Sequence, residues 1–168
     1  MKFTKLQARR DYRIASYTGP HSDGVCVCLV VGFGNNSFSL NSHQRDLLAF
    51  SIPALDRAGS LLEMYARTDR SGSSEYNMAL SKRRLRATQD SLLSLGAPHE
   101  KAFSDLSKAL GENFEAFIGQ ADETRYAGGR AVWLFFWPSR AAFDEGPDDD
   151  GETSFRTLVQ FGRGFTPG

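Results

Sequence analysis

Cysteine, histidine, charge of one sign and long apolar runs are all scarce in this chain, and each scarcity removes a class of function. Cys26 and Cys28 are the only cysteines. They lie two apart in a segment that reads as a strand, so both thiols point to one face without the geometry of an ordinary disulfide. With only His21, His43 and His99 scattered elsewhere, the sequence disfavours a cysteine-based zinc site, and the thiols read as small buried hydrophobes. Twenty lysines plus arginines balance 20 aspartates plus glutamates. No long-range field therefore draws the chain to nucleic acid or to an anionic bilayer.

The apolar run Val25 to Phe33 falls far short of the roughly 20 residues a membrane helix needs. Met1 to Arg10 is polar and holds no signal-peptide core, so the sequence as written carries no address for export and no membrane insertion is expected. Gly-x-Ser-x-Gly, His-Glu-x-x-His and phosphate-binding glycine-loop patterns are missing, and no cysteine lies near a histidine in sequence. The expectation is a non-enzyme without cofactor or metal. Asp148-Asp149-Asp150 lacks the spaced ligands and final glutamate of a calcium loop and reads as part of an acidic loop.

What is present suits one domain. At 168 residues and 40% hydrophobic content the chain can bury one good core and is short for two. Tyr12 to Thr18 reads as a strand, residues 19–24 as a turn, and Val25 to Phe33 as a strand apolar on both faces, hence central. A first helix starts at Asn41 or Ser42 and places Leu48, Ile52, Leu55 and Gly59 on one face, with Pro53 expected to kink or split it. Leu61 to Arg67 alternates as a half-buried strand, Leu62, Met64 and Ala66 on one side and Glu63, Tyr65 and Arg67 on the other. A second helix, capped by Ser73 or Ser74, repeats Met78, Leu85 and Leu92 as its core stripe and stops at Gly96 and Pro98. Ala102 to Leu110 is ambiguous between helix and strand. Arg130 to Trp137 is a strand with two large apolar faces, each needing cover from a helix layer, a terminal extension or a second subunit. Ser154 to Phe161 reads as a further edge strand.

Chemistry concentrates around Thr68-Asp69-Arg70-Ser71-Gly72 and the helix that follows. Asn77, Ser81, Arg84 and Thr88, spaced by four, three and four, form a polar stripe beside the core stripe. Arg84 then sits at the margin of the core with its fork toward a crevice, next to the strand end that carries Asp69. Such a pair suits a ligand bearing both an ammonium and a carboxylate, the guanidinium taking the carboxylate through two parallel bonds that a lysine cannot copy. The alternative is an ion pair that merely holds turn to helix. Lys82, Arg83 and Arg86 read as a solvated helix face.

Thr68-Asp69, Gly72, Asn77, Leu80-Ser81 and Arg84, then Gly96, Gly111-Glu112 and the strand beginning Arg130-x-Val132, resemble the OmpA-like C-terminal domain family. That family includes lipoproteins and flagellar stator proteins. The resemblance covers about residues 30–138 and implies an α/β (α+β) fold, a βαβαβ two-layer sandwich with helices on one sheet face. Residues 1–29 then form an N-terminal hairpin extension, and 139–168 an acidic loop and tail. It also implies peptidoglycan binding, with Asp69 and Arg84 clamping the diaminopimelate of the stem peptide and Thr68, Asn77 and Arg130 in support. The chain departs from the family pattern in three places. Ala66-Arg67 stands where glycine and an aromatic or histidine are usual, Leu85 where a small residue is usual, and Gly129-Arg130-Ala131 lacks one arginine of an expected pair. Arg67 is thereby expected to add charge beside the pocket.

Two functions follow from the resemblance. One is a non-catalytic module on the peptidoglycan stem peptide, implying a bacterial periplasm or cell envelope. The other is an interaction subunit of a secretion, conjugation or other envelope-associated assembly, cytoplasmic if the chain is complete, meeting a protein partner or a second copy through its apolar last strand.

Overall fold

A computed structural model of the chain describes the backbone of residues 2–8, 12–18, 23–69, 71–112 and 130–140, and side chains from Leu29 onward within those ranges. The strands are β1 (Lys2–Ala8), β2 (Tyr12–Thr18), β3 (Asp23–Gly32), β4 (Leu61–Arg67), β5 (Lys108–Gly111) and β6 (Ala131–Trp137). The helices are α1 (Ser42–Leu55), α2 (Ser74–Ser94) and α3 (His99–Ala102). All six strands join one sheet in the order β1-β2-β3-β6-β4-β5. Only β4 and β5 pair in parallel, as their connection through α2 and α3 requires. β3 lies between β2 and β6, the central place its two apolar faces predict. The proposed strand Ser154 to Phe161, the acidic run and the turn residues 19–22 lie outside the described residues.

One sheet face carries the helices. Leu29, Val31 and Phe33 of β3 and its exit, Leu62, Met64 and Ala66 of β4, and Val132, Leu134 and Phe136 of β6 meet Leu48 and Leu55 of α1 and Leu92 of α2. The period-two alternation of three neighbouring strands thus builds one continuous apolar floor. Asn41 caps α1 in a reciprocal box: its side chain accepts from Gln44 N and its own N–H donates to the Gln44 side chain. Pro53 does not split α1 as expected. The carbonyl it leaves without an intrahelical donor belongs to Ala49, which is exposed and open to water.

The opposite face corrects two further expectations. β4 is buried along both sides, so Glu63 (6% exposed), Tyr65 (5%) and Arg67 (2%) are not solvent-facing. Trp133, Phe135 and Trp137 are likewise closed within the single chain, which leaves no apolar face of the last strand open for a partner or a second copy. On this face Glu63 accepts from the Tyr65 hydroxyl and from Trp137 Nε1, and Arg67 stacks on the Trp133 ring at 5.6 Å. The ambiguous segment divides into α3, a turn and β5. Among the described residues no helix is long and apolar enough to cross a membrane.

Candidate functional site

β4 ends by handing its chain to a turn fixed by local hydrogen bonds. Thr68 N donates to Gly111 O at 3.0 Å, continuing the β4/β5 pairing by one residue. Asp69 Oδ1 then accepts from both the backbone N–H and the hydroxyl of Ser71, an Asx-type turn that shapes the loop from its own side chain. Gly72 at φ +96 completes the reversal in a conformation that L side chains rarely adopt. Ser73 caps α2 by accepting from Tyr76 N.

Asp69 is 7% exposed and its second oxygen accepts from Arg130 Nη1 at 3.2 Å. Partial burial pushes its carboxyl up, but hydrogen bonds from Ser71 and Arg130, with the Arg130 charge, outweigh this and hold it below the usual carboxylate range. Asp69 is therefore ionised at neutral pH. The Thr68 hydroxyl, on a side chain 3% exposed, is buried without a partner, and so is Arg130 Nε.

Arg84 departs most from expectation. The sequence places it at the core margin, but it is 1% exposed, among the largest fully buried side chains. Nε donates to Ser37 O (2.8 Å), Nη1 to Arg67 O (2.9 Å) and Nη2 to Gly34 O (3.1 Å). Three of the five N–H bonds of the guanidinium are thus committed to backbone carbonyls of the β3–α1 loop and the end of β4. The Phe33 ring lies 5.3 Å away. Burial lowers its pKa to about 10; the Asp69 charge opposes that shift and the Arg130 charge adds to it, so Arg84 remains a cation at neutral pH within electrostatic reach of both. The whole polar stripe is the buried stripe: Asn77, Ser81, Arg84 and Thr88 are 0–1% exposed. Met78 and Leu85, expected as core, are only partly buried.

Arg67 also lies elsewhere than expected. Strand alternation sends its side chain to the far sheet face over Trp133, and only its carbonyl serves the site, as an acceptor for Arg84. Asn77, 1% exposed, donates through Nδ2 to Glu112 Oε2 at 2.7 Å, and Ser74 donates to Glu112 Oε1 at 2.6 Å. Glu112 has no assigned role in the sequence reading, although Gly111-Glu112 is part of the resemblance. Gly111, at φ +56, donates from its N–H to Ser81 Oγ at 3.0 Å. A Cβ there would stand 3.3 Å from Met78 Cα.

The structure thus joins Asp69 to Arg130, leaves the hydroxyl of the adjacent Thr68 buried without a partner, keeps Arg84 as a buried cation within electrostatic reach, and holds Asn77 at the start of α2. Arg70 lies outside the described residues. A cleft of about 160 Å³ lined by Leu55, Arg57, Leu61 and Trp137 sits at the opposite end of β4 and belongs to none of this chemistry. Among the described residues no group of three or more histidine, cysteine or carboxylate side chains is placed to hold a metal ion.

No family model matches the chain, and no curated protein matches it in sequence. Solved structures do. The chain resembles the peptidoglycan-associated lipoprotein of Burkholderia pseudomallei at 24% identity and a TM-score of 0.51, over 64% of this chain and 88% of that one. It resembles the OmpA-like domain of FopA1 from Francisella tularensis at 23% identity and a TM-score of 0.55, over 77% and 83% of the two chains. The periplasmic domain of Helicobacter pylori MotB superposes at 13% identity with a TM-score of 0.54, over 79% and 86%. Together with the β3-α1-β4-α2 order and the helices on one sheet face, these likenesses show that the chain has the OmpA-like fold.

Proposed function

We propose that this chain is a non-catalytic peptidoglycan-binding module whose Asp69–arginine site takes the diaminopimelate of the stem peptide. The supporting observation is an ionised, largely buried carboxylate flanked by two guanidinium groups at the end of β4. One negative and two positive groups in one place match a ligand end that carries an ammonium beside a carboxylate. Asp69 accepts from the ammonium, and the carboxylate falls within the positive field of Arg130 and of the buried Arg84. Thr68 supplies a buried hydroxyl with spare hydrogen-bonding capacity, and Asn77 anchors the helix start through Glu112.

The solved structures with the same fold include a protein described as a peptidoglycan-associated lipoprotein, which is consistent with this reading. Co-sedimentation with isolated diaminopimelate-type sacculi tests it. The unaltered chain is expected in the pellet and Asp69→Ala in the supernatant; a folded, unaltered chain that stays in the supernatant contradicts the proposal.

A further inference from the structure

Two arginines stand near Asp69, and they differ in what they are free to do. Arg84 has no exposed face, and each of its three nitrogens already donates to a backbone carbonyl. Offering a two-pronged bond to a ligand would mean entering a closed space or stripping these carbonyls of their charged donor. Arg130 is the reverse. Its side chain is 27% exposed, its contact with Asp69 Oδ2 is a single bond of 3.2 Å, and its Nε has no partner. That length exceeds the roughly 2.7–2.9 Å of a strong charge-assisted bond. Asp69 Oδ1 is held by Ser71, so the oxygen that faces Arg130 is the exchangeable one. The hydroxyl of Thr68, the preceding residue, is also buried without a partner.

We propose that ligand binding at this site proceeds by exchange of an ion pair. The Arg130–Asp69 bridge opens, the ligand ammonium takes the place of Arg130 on Asp69 Oδ2, and Arg130 turns its guanidinium to the ligand carboxylate. Arg84 remains on its three carbonyls throughout and acts as a positioning residue: it fixes the β3–α1 loop against the end of β4 and so fixes where Asp69 stands. This rests on the peptidoglycan reading and divides the work between its two arginines. The exchange conserves charge pairing, two new ion pairs replacing one, and it needs both charges on the ligand. A ligand with an ammonium alone would have to displace Arg130 and leave it unpaired, so selectivity for a zwitterionic end is built into the bridge.

Two soluble stem peptides that differ by one carboxylate, diaminopimelate or lysine at the third position, test this by calorimetric titration. The unaltered chain is expected to prefer the diaminopimelate peptide. In Arg130→Ala that peptide should bind about tenfold more weakly and the lysine peptide more tightly than before, because Asp69 is no longer contested, so the preference collapses. Arg84→Lys should lower stability yet keep the preference. A preference that survives Arg130→Ala but is lost in folded Arg84→Lys overturns the exchange and returns the carboxylate to Arg84. A ligand-free readout separates this from the broader reading: by NMR titration the Asp69 carboxyl pKa should rise in Arg130→Ala. No rise means that the bridge is not formed in solution, which sinks the exchange alone. An unaltered chain that binds neither peptide removes the peptidoglycan reading, and the exchange with it.

Discussion

Arg84 shows how a residue can be found by register and still be misread in role. Its spacing from Asn77 and Ser81 on α2 is legible because helical geometry is local. Its burial is not, since the carbonyls that satisfy it come from Gly34, Ser37 and Arg67, separated from it by 50, 47 and 17 residues. Nothing in a periodicity marks a loop carbonyl as a partner. The consequence is quantitative. Arg84→Ala strips three backbone carbonyls of a charged donor and empties a fully buried site, and denaturant unfolding should report a loss of about 3 kcal/mol or more; a loss within 1 kcal/mol would mean that these bonds are replaced by water. Glu63 makes a separate residue-scale prediction. Burial raises its pKa above 4.5 despite donors from Tyr65 and Trp137 and the charge of Lys108. The unfolded chain ionises first as pH rises from about 4.5, so stability from this group, full below that value, is lost as pH climbs through the folded pKa. Glu63→Gln should therefore melt higher than the unaltered chain at neutral pH, the difference shrinking toward pH 4. Asp69 has the opposite sign: its pKa lies below 3.8 when folded, and its contribution is present above that value and lost in stronger acid.

At the scale of elements, caps and alternation carried the reading and short or crowded pieces did not. The Asn41 box and the Ser73 cap use side chains three residues from their targets, so both helix starts are visible in the sequence. β5 is four residues long and pairs in parallel with a strand some 40 positions earlier, too little pattern to be told from helix. Its docking depends on Gly111, whose positive φ and close approach to Met78 tie β5 to α2 next to the site. Gly111→Ala is expected to cost about 2 kcal/mol from the left-handed conformation and the crowding together. Thermal melting of that variant checks it, and a change under 0.5 kcal/mol would mean that α2 moves aside freely. Lys101 offers a second device invisible in sequence. Its ammonium donates to the carbonyls of Leu55 and Arg57 and to Ser60 Oγ, closing the C-terminal end of a helix with no basic residue in its own last turn.

For the whole molecule, the central strand, the helix-bearing face and the two covered faces of β6 all follow from runs of apolar residues. The first strand does not. Lys2–Ala8 mixes charged and apolar residues, and its place at the sheet edge comes from pairing with β2. Zero formal net charge means that attraction to an anionic wall polymer has no general electrostatic source. Binding to sacculi, if it runs through the buried Asp69, should persist at 0.15 M salt, where exposed charges are screened beyond about 8 Å. The most direct test is displacement of the chain from diaminopimelate-type sacculi, at that salt concentration, by soluble stem peptides that carry diaminopimelate or lysine at the third position. The account predicts release by the diaminopimelate peptide at concentrations where the lysine peptide leaves the chain in the pellet, and no initial binding by Asp69→Ala. Retention of Asp69→Ala on the sacculi, or equal release by both peptides, would contradict it.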